Sequence, residues 1–348
     1  MEEIPKRKKR QISIDSKPTR VQLGTGGFGS VWKGKFKGRA VAVKKVLLQY
    51  CNIKEDKEED AMQKLDHPNI VKLFHCESDK DFRYYALELC VASLGHLFLE
   101  SDDPKKYKGP MPCQIDIFLQ LASGLEHIHL MKLIHRDIKP ENVLISETTT
   151  KKTINVTLKW ADFGLSKSLN ERGTCTMSRI GGTRNWIAPE LLEPTLDGRE
   201  CRGDIKSDVF ALGLVFGCIL LDGEHLYGSK EKKEEIFKNI KEGKPVNMQE
   251  INIFLRHLYE NDLLQKMLEK EPINRMTSTE VVKQLQSIKE MLTGKEEELR
   301  QLCSVDSQFD LIEKIEGLIQ FRIDVNAKDE NGWNALHLLF RNRRERKD

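Results

Sequence analysis

Across residues 21–46, apolar and polar positions alternate in short β-branched runs around a glycine cluster. A period of two with a tight turn in its middle predicts two strands forming a hairpin and a third strand after them. The pattern changes over residues 54–65, where Ala61, Met62 and Leu65 make a modest apolar stripe on a charged background. That spacing predicts a helix, which His67-Pro68 ends. Two further strand-like runs follow, over residues 70–74 and 84–89. Beyond a loop at 101–112, Phe118, Leu121, Leu125 and Ile128 recur at three-to-four spacing, the mark of a helix with one buried face. A strand-rich part thus precedes a helix-rich part, and this segregation predicts two lobes with a ligand cleft between them.

The longest apolar segment, 209–221, is interrupted by glycines and falls short of the roughly 18 to 20 residues that cross a bilayer. It predicts a buried helix. The first thirty residues contain no apolar signal core, so the expected compartment is the cytoplasm.

Composition narrows the function classes. A chain of 348 residues with 39% apolar and 32% charged positions can bury one large core and carry a small appendage. Fifty-seven basic against fifty-four acidic residues give a formal charge of +3, too little to draw in nucleic acid or a membrane. The local exception is Lys6, Arg7, Lys8, Lys9 and Arg10, which reads as a nuclear address, an anionic docking tail or simply a solvated, disordered end. Eight cysteines without a Cys-x-x-Cys pair argue against a zinc module and a disulfide scaffold. The histidines, including His67, His75 and His96, have no metal-like spacing and read as structural or surface residues.

The glycine cluster is Gly24-Thr25-Gly26-Gly27-Phe28-Gly29-Ser30-Val31. It lies between two strands, whereas a dinucleotide fingerprint or a P-loop leads into a helix. Glycines let backbone N–H groups approach phosphate oxygens, although an ordinary hairpin turn has the same composition. In Val41-Ala42-Val43-Lys44 a lysine ends an apolar strand, where its charge needs a partner. Glu58 on the next helix is the first candidate, with Glu59 beside it as the alternative.

The most specific signal is an ordered series: His135-Arg136-Asp137-Ile138-Lys139-Pro140-Glu141-Asn142, then Asp162-Phe163-Gly164, then Ala188-Pro189-Glu190. With the glycine cluster and Lys44, it resembles the signature set of protein kinases. The resemblance implies an α+β, bilobal protein-kinase fold, with an N-terminal antiparallel sheet plus one helix and a mostly helical C-terminal lobe. It also implies ATP and magnesium as cofactors and proteins as substrates. Phosphoryl transfer needs an in-line hydroxyl and charge neutralisation more than covalent help. Asp137 would orient the substrate hydroxyl, Lys139 would steady the γ-phosphate, and Asn142 and Asp162 would hold magnesium through oxygen ligands. Lys139 and Thr183 point to serine/threonine specificity. Lys44, fixed by Glu58, would hold the α and β phosphates under Gly24, Gly26 and Gly29. Val31 and Ala42 would cover one face of the adenine and Leu144 the other, and Leu23 would also bind the nucleotide. Leu87 would be the gatekeeper, and the backbone of Glu88 and Cys90 would meet the adenine edge. Cys90 is either a reactive thiol in the pocket or a packing cysteine. Glu190 and Arg275 resemble the family's buried ion pair, a structural role. Ser166, Ser168, Thr174, Thr176 and Ser178 offer hydroxyls whose phosphorylation would pair with Arg136.

Finer marks resemble the inositol-requiring-enzyme kinase/endoribonucleases: the Leu87-Glu88-Leu89-Cys90 link, the long insert at 146–159, and Trp186 in Gly182-Thr183-Arg184-Asn185-Trp186, where most kinases have tyrosine. That family carries a luminal sensor, a membrane span and a nuclease. The first two are not found here, and the segment beyond Leu285 is expected to be too short for the third. Instead, residues 324–339 resemble the start of an ankyrin repeat, with Asn334-Ala335-Leu336-His337 in place of Thr-Pro-Leu-His. One repeat cannot bury its own faces. The expected organisation is a basic disordered N-terminus (1–18), a kinase domain (19–289), and a helical linker with a partial ankyrin repeat (290–348). Expected associations are protein substrates, a homodimer and a partner on the ankyrin-like tail. The alternative to an active kinase is a nucleotide-binding module that signals by changing shape or dimerising.

Overall fold

The structure is a computed structural model. It describes residues 11–15, 20–26, 29–50, 65–150, 153–170, 174–177, 184–192, 201–252, 255, 256, 259 and 263–304. The expected helix at 54–65 lies outside these residues except for Leu65. So do the basic run and the ankyrin-like segment.

The N-terminal lobe is a curled antiparallel sheet. Its strands are β1 (Ile12–Ile14), β2 (Gln22–Gly26), β3 (Gly29–Phe36), β4 (Arg39–Leu47), β5 (Leu73–Ser78) and β6 (Phe82–Leu87), in the spatial order β1-β3-β4-β6-β5, with β2 also on β3. The alternation read from the sequence buries Val41 and Val43, which pack with Ile12, Tyr84 and Ala86 as a small core of their own. Within the N-terminal stretch expected to be disordered, residues 12–14 form a strand. Ile12 is 2% exposed and β1 pairs with β3, because a β-branched Ile-Ser-Ile run supplies an apolar side chain to the open edge of the sheet.

The chain then runs through β7 (Ala92–Ser93) into α1 (Gln114–Leu130), β8 (Leu133–Ile134), and the hairpin of β9 (Val143–Thr149) and β10 (Ile154–Trp160). The long insert is this hairpin, in register from Val143↔Trp160 to Thr149↔Ile154. Short strands β11 (Lys167–Ser168), β12 (Thr174–Met177) and β13 (Cys201–Asp204) lead to the helices α2 (Ile205–Leu220), α3 (Lys233–Glu242) and α4 (Ser278–Ser304). Phe118, Leu121, Leu125 and Ile128 on α1 are all fully buried, and they share one large core with α2 and the start of α4. The apolar run at 209–221 is the body of α2. It starts at an Asp204 cap whose side chain accepts from the Lys206 and Ser207 amides. The helix α4 continues through the expected boundary at 289, since Leu285, Ile288 and Leu292 keep the same face buried.

The lobes are joined through Asn69 and Trp160. Trp160 N donates to Asn69 O, Val71 N donates to Trp160 O, and the Trp160 indole donates to Leu121 O, each at 2.9 Å. A Cβ on Gly124 would sit 2.8 Å from Asn69 O and 2.9 Å from the indole, so α1 approaches this junction only because position 124 has no side chain. Among the described residues, no helix is long and apolar enough to cross a membrane.

Candidate active site

The strand register puts the predicted nucleotide residues on one face of the sheet. Val31 pairs with Lys44 and Ala42 pairs with Leu87, and Ala42 and Lys44, two positions apart, point the same way. In the glycine hairpin Gly24 pairs with Val31 and Gly26 with Gly29. Gly29 is required by geometry: its φ is +155°, and a Cβ there would lie 2.1 Å from Lys45 O. Around Gly24 the space is open, and Leu23 is exposed, so both are free to meet a ligand.

At the link, Glu88 N donates to Lys72 O. The Glu88 carboxylate is held by Lys159 Nζ at 3.1 Å and by Ser146 Oγ at 3.1 Å. The side chain is therefore tied back to the β9–β10 hairpin, and among the described residues no backbone hydrogen bond ends on the Glu88 carbonyl or the Cys90 amide. Leu144, half-buried, lies on the opposite face of β9 from the fully buried Val143 and Ile145. Burial pushes the Cys90 thiol up to about 12, which favours the protonated thiol at neutral pH.

Across the cleft, Lys139 Nζ donates to Asp137 Oδ2 at 2.7 Å, and Asn142 Nδ2 donates to the Asp137 carbonyl at 2.8 Å and to Oδ2 at 2.7 Å. Asp137 Oδ1 is buried and has no hydrogen-bond partner among the described residues. A buried carboxylate oxygen without a donor is costly, and an incoming hydroxyl would satisfy it. The Asn142 amide nitrogen is used up, leaving its oxygen for a cation. Ala161 N donates to Asn142 O at 2.9 Å, which sets Asp162 beside it. Asn142 and Asp162 thus both offer side-chain oxygens, the ligand type that magnesium, a hard cation, takes.

Asp162 also meets Lys44, with Nζ 2.9 Å from Oδ1. Burial raises the Asp162 carboxyl, but the Lys44 ammonium and its hydrogen bond, with His135 and the Gly164 amide, hold it below the ordinary carboxylate value. The expected partner Glu58 lies outside the described residues.

What holds the loop from His135 to Asn142 is Asp208, which no local motif marks. Asp208, at the start of α2 and 2% exposed, accepts from His135 N (2.7 Å), Arg136 N (2.9 Å) and the His129 ring (3.1 Å). Arg136 has φ +72°, a conformation costing on the order of 1 kcal/mol for such a residue, and the Asp208 bridge fixes it. His135, fully buried, donates through Nε2 to Ala161 O at 3.1 Å and accepts at Nδ1 from Asp137 N at 3.3 Å, as one neutral tautomer can. One imidazole thereby links Asp137 to the residue before Asp162. A lone carboxylate opening the apolar run at 209–221 was the available clue.

Glu190 and Arg275 form the predicted pair at 2.9 and 3.1 Å, and Ser207 Oγ also donates to Glu190 at 2.9 Å. The Arg275 side chain is 0% exposed, and its remaining donors go to the carbonyls of Lys206, Glu269 and Lys270. Trp186 packs edge-on against His225, with ring centroids 5.0 Å apart. Of the candidate phosphorylation sites, Ser166 is buried with its hydroxyl on His135 O, Ser168 is exposed, and Thr174 is tied to Asn170. Thr183 and Ser178 lie outside the described residues.

Residues 19–285 match the protein kinase domain family. The chain is 33% identical over 267 residues to the serine/threonine-protein kinase/endoribonuclease ire-1 of Caenorhabditis elegans, covering 75% of this chain and 26% of that protein. It is 35% identical over 261 residues to the human serine/threonine-protein kinase/endoribonuclease IRE2, covering 74% and 26%. A mouse interferon-induced, double-stranded RNA-activated protein kinase is 29% identical over 282 residues, covering 76% and 49%. The chain thus spans about a quarter of the length of the first two. On the match across most of its length, this chain belongs to the protein kinase family.

Proposed function

We propose that the chain transfers the γ-phosphoryl group of ATP, with magnesium, to serine and threonine hydroxyls on proteins, itself among them. The observation carrying this reading is the Asp137 carboxylate: one oxygen takes hydrogen bonds from Lys139 and Asn142, and the other is buried without a partner among the described residues. A carboxylate so oriented accepts a hydrogen bond from a substrate hydroxyl and aims its oxygen at phosphorus. Lys139, already 2.7 Å from that carboxylate, would offset the charge of the migrating group. Lys44 would orient the phosphates, and magnesium held by Asn142 and Asp162 would supply charge neutralisation. Retention of Lys44, Asp137, Asn142 and Asp162 together favours transfer over a purely regulatory nucleotide-binding role.

The test is transfer of radiolabelled phosphate from ATP to the chain itself and to a generic basic protein, with magnesium and with chelator. Label on serine and threonine that the chelator removes supports the proposal. No label from folded protein that binds ATP overturns it in favour of the regulatory module, and dimerisation would then be measured.

Relatives named as kinase/endoribonucleases, and one Schizosaccharomyces pombe relative named as a sensor for unfolded proteins in the ER, suggest a place in the unfolded-protein response. The kinase half of that role is what the described residues can carry. Phosphorylation that rises when cells accumulate misfolded secretory proteins would support it.

A further inference from the structure

The strand β1 lies at one end of the N-lobe sheet and β5 at the other, yet they meet. Gln11 N and Ile12 N, on the outer side of β1, donate to the two carboxylate oxygens of Glu77 on β5 at 3.0 and 2.9 Å. Next to this contact Phe36 stacks on His75 at 4.9 Å, and Arg39 lies 4.3 Å over Phe74. The sheet therefore curls nearly into a barrel, and the Glu77 carboxylate takes the place of the missing strand ladder. The inner face of this closure is the small core around Ile12.

The other side of β1 meets the nucleotide apparatus. β1 and β2 lie end to end along one edge of β3, β1 opposite Gly34–Phe36 and β2 opposite Gly29–Trp32. They meet at Lys33, whose carbonyl accepts from Asp15 N at 3.2 Å and whose amide donates to Val21 O at 2.9 Å. Gly34 makes the approach feasible, since a Cβ there would lie 2.2 Å from Ser13 O.

We propose that β1, locked by Glu77, is a positioning element for the glycine-rich hairpin: closing the barrel holds β3 straight and so fixes β2 over the nucleotide. The inference rests on the reading of the cleft as an ATP site for its kinetic consequence, but the mechanical coupling is independent of nucleotide. Without β1 the outer half of β3 becomes a free edge, and its hydrogen bonds and the hairpin leading from it loosen together.

The experiment uses the full chain and compares wild type with Glu77→Ala, which removes both acceptors, and Glu77→Gln, which keeps one. Hydrogen exchange without nucleotide is read first. In Glu77→Ala, amides of β1, β3 and β2 should exchange faster while α2 stays protected, with Glu77→Gln between. Acceleration confined to β1 would overturn the coupling. With ATP, KM should rise about fivefold with kcat within about twofold, the split expected of lost ground-state positioning. An unchanged KM, or KM, kcat and α2 protection all failing together, would contradict the positioning role. If wild type itself neither binds nor turns over ATP, the proposed function fails, and the exchange pattern still decides the coupling.

Discussion

Lys44 and Asp162, 118 residues apart in the chain, meet at 2.9 Å across the cleft between the lobes. The lysine is nearly buried, while the carboxylate is 42% exposed. A charge leaving water at the end of an apolar strand needs such a partner, and the contact ties the sheet to the segment expected to hold magnesium. In Lys44→Met the apolar stem remains and the ammonium is lost. Phosphate transfer is expected to fall by about 10²-fold or more, as for loss of one preorganised charge in an active site. The Asp162 carboxyl should also titrate at higher pH. In wild type its depressed value stabilises the fold above the ordinary carboxylate range, and that contribution is lost as pH falls through the folded value. Carboxyl titration by NMR of both proteins checks this; an unmoved Asp162 would refute the coupling.

Asp208 joins two backbone amides of the catalytic loop to α2. In Asp208→Asn one acceptor and the charge facing His129 are lost. The expected cost is about 3 kcal/mol in urea unfolding, with transfer reduced further than stability alone explains because Arg136 loses its left-handed restraint. Activity measured well below the unfolding transition separates the two effects.

Arg275 sits in a cage of carbonyls with Glu190 as its only carboxylate partner among the described contacts. In Arg275→Leu, Glu190 loses its guanidinium partner and three carbonyls lose their donor, for an expected loss of about 3–5 kcal/mol. Glu190→Gln should cost less, and the double variant less than the sum of the singles. Denaturant midpoints of the four proteins form the cycle that checks it.

His225 is a titratable anchor buried against Trp186. Burial lowers its pKa to about 4, the hydrogen bond to the Asn185 carbonyl only partly opposing this. Between its ordinary value of 6.5 and about 4 the unfolded chain binds a proton that the folded chain does not, so stability falls as pH drops through that window. The full contribution is about 3 kcal/mol. His225→Gln keeps a donor and an acceptor without titrating, and its thermal midpoint should depend less on pH between 6.5 and 4. Equal slopes in the two proteins would contradict the assignment.

The sequence was most legible where a residue's role is set by its neighbours in the chain. The loop from His135 to Asn142 folds back on itself, so Asp137, Lys139 and Asn142 converge within six positions. Period-two and three-to-four spacings likewise marked the hairpin and α1. Roles set by distant contacts were hidden: Asp208 becomes an anchor because α2 passes under the loop, and β1 becomes a strand because β3 offers it an open edge and Glu77 accepts from its outer amides. Arg275 was legible despite its distance, through resemblance to a family pattern, and the structure supplies the reason in its buried cage.

In the proposed mechanism Asp137 orients the accepting hydroxyl. Single-turnover transfer of phosphate from magnesium-ATP should be compared in wild type and Asp137→Asn, with nucleotide affinity measured in both. Matched ATP affinity is expected, with a rate lower by about 10³-fold in the variant, since the lone acceptor oxygen becomes ambiguous with an amide donor. Equal transfer by the two proteins would contradict it.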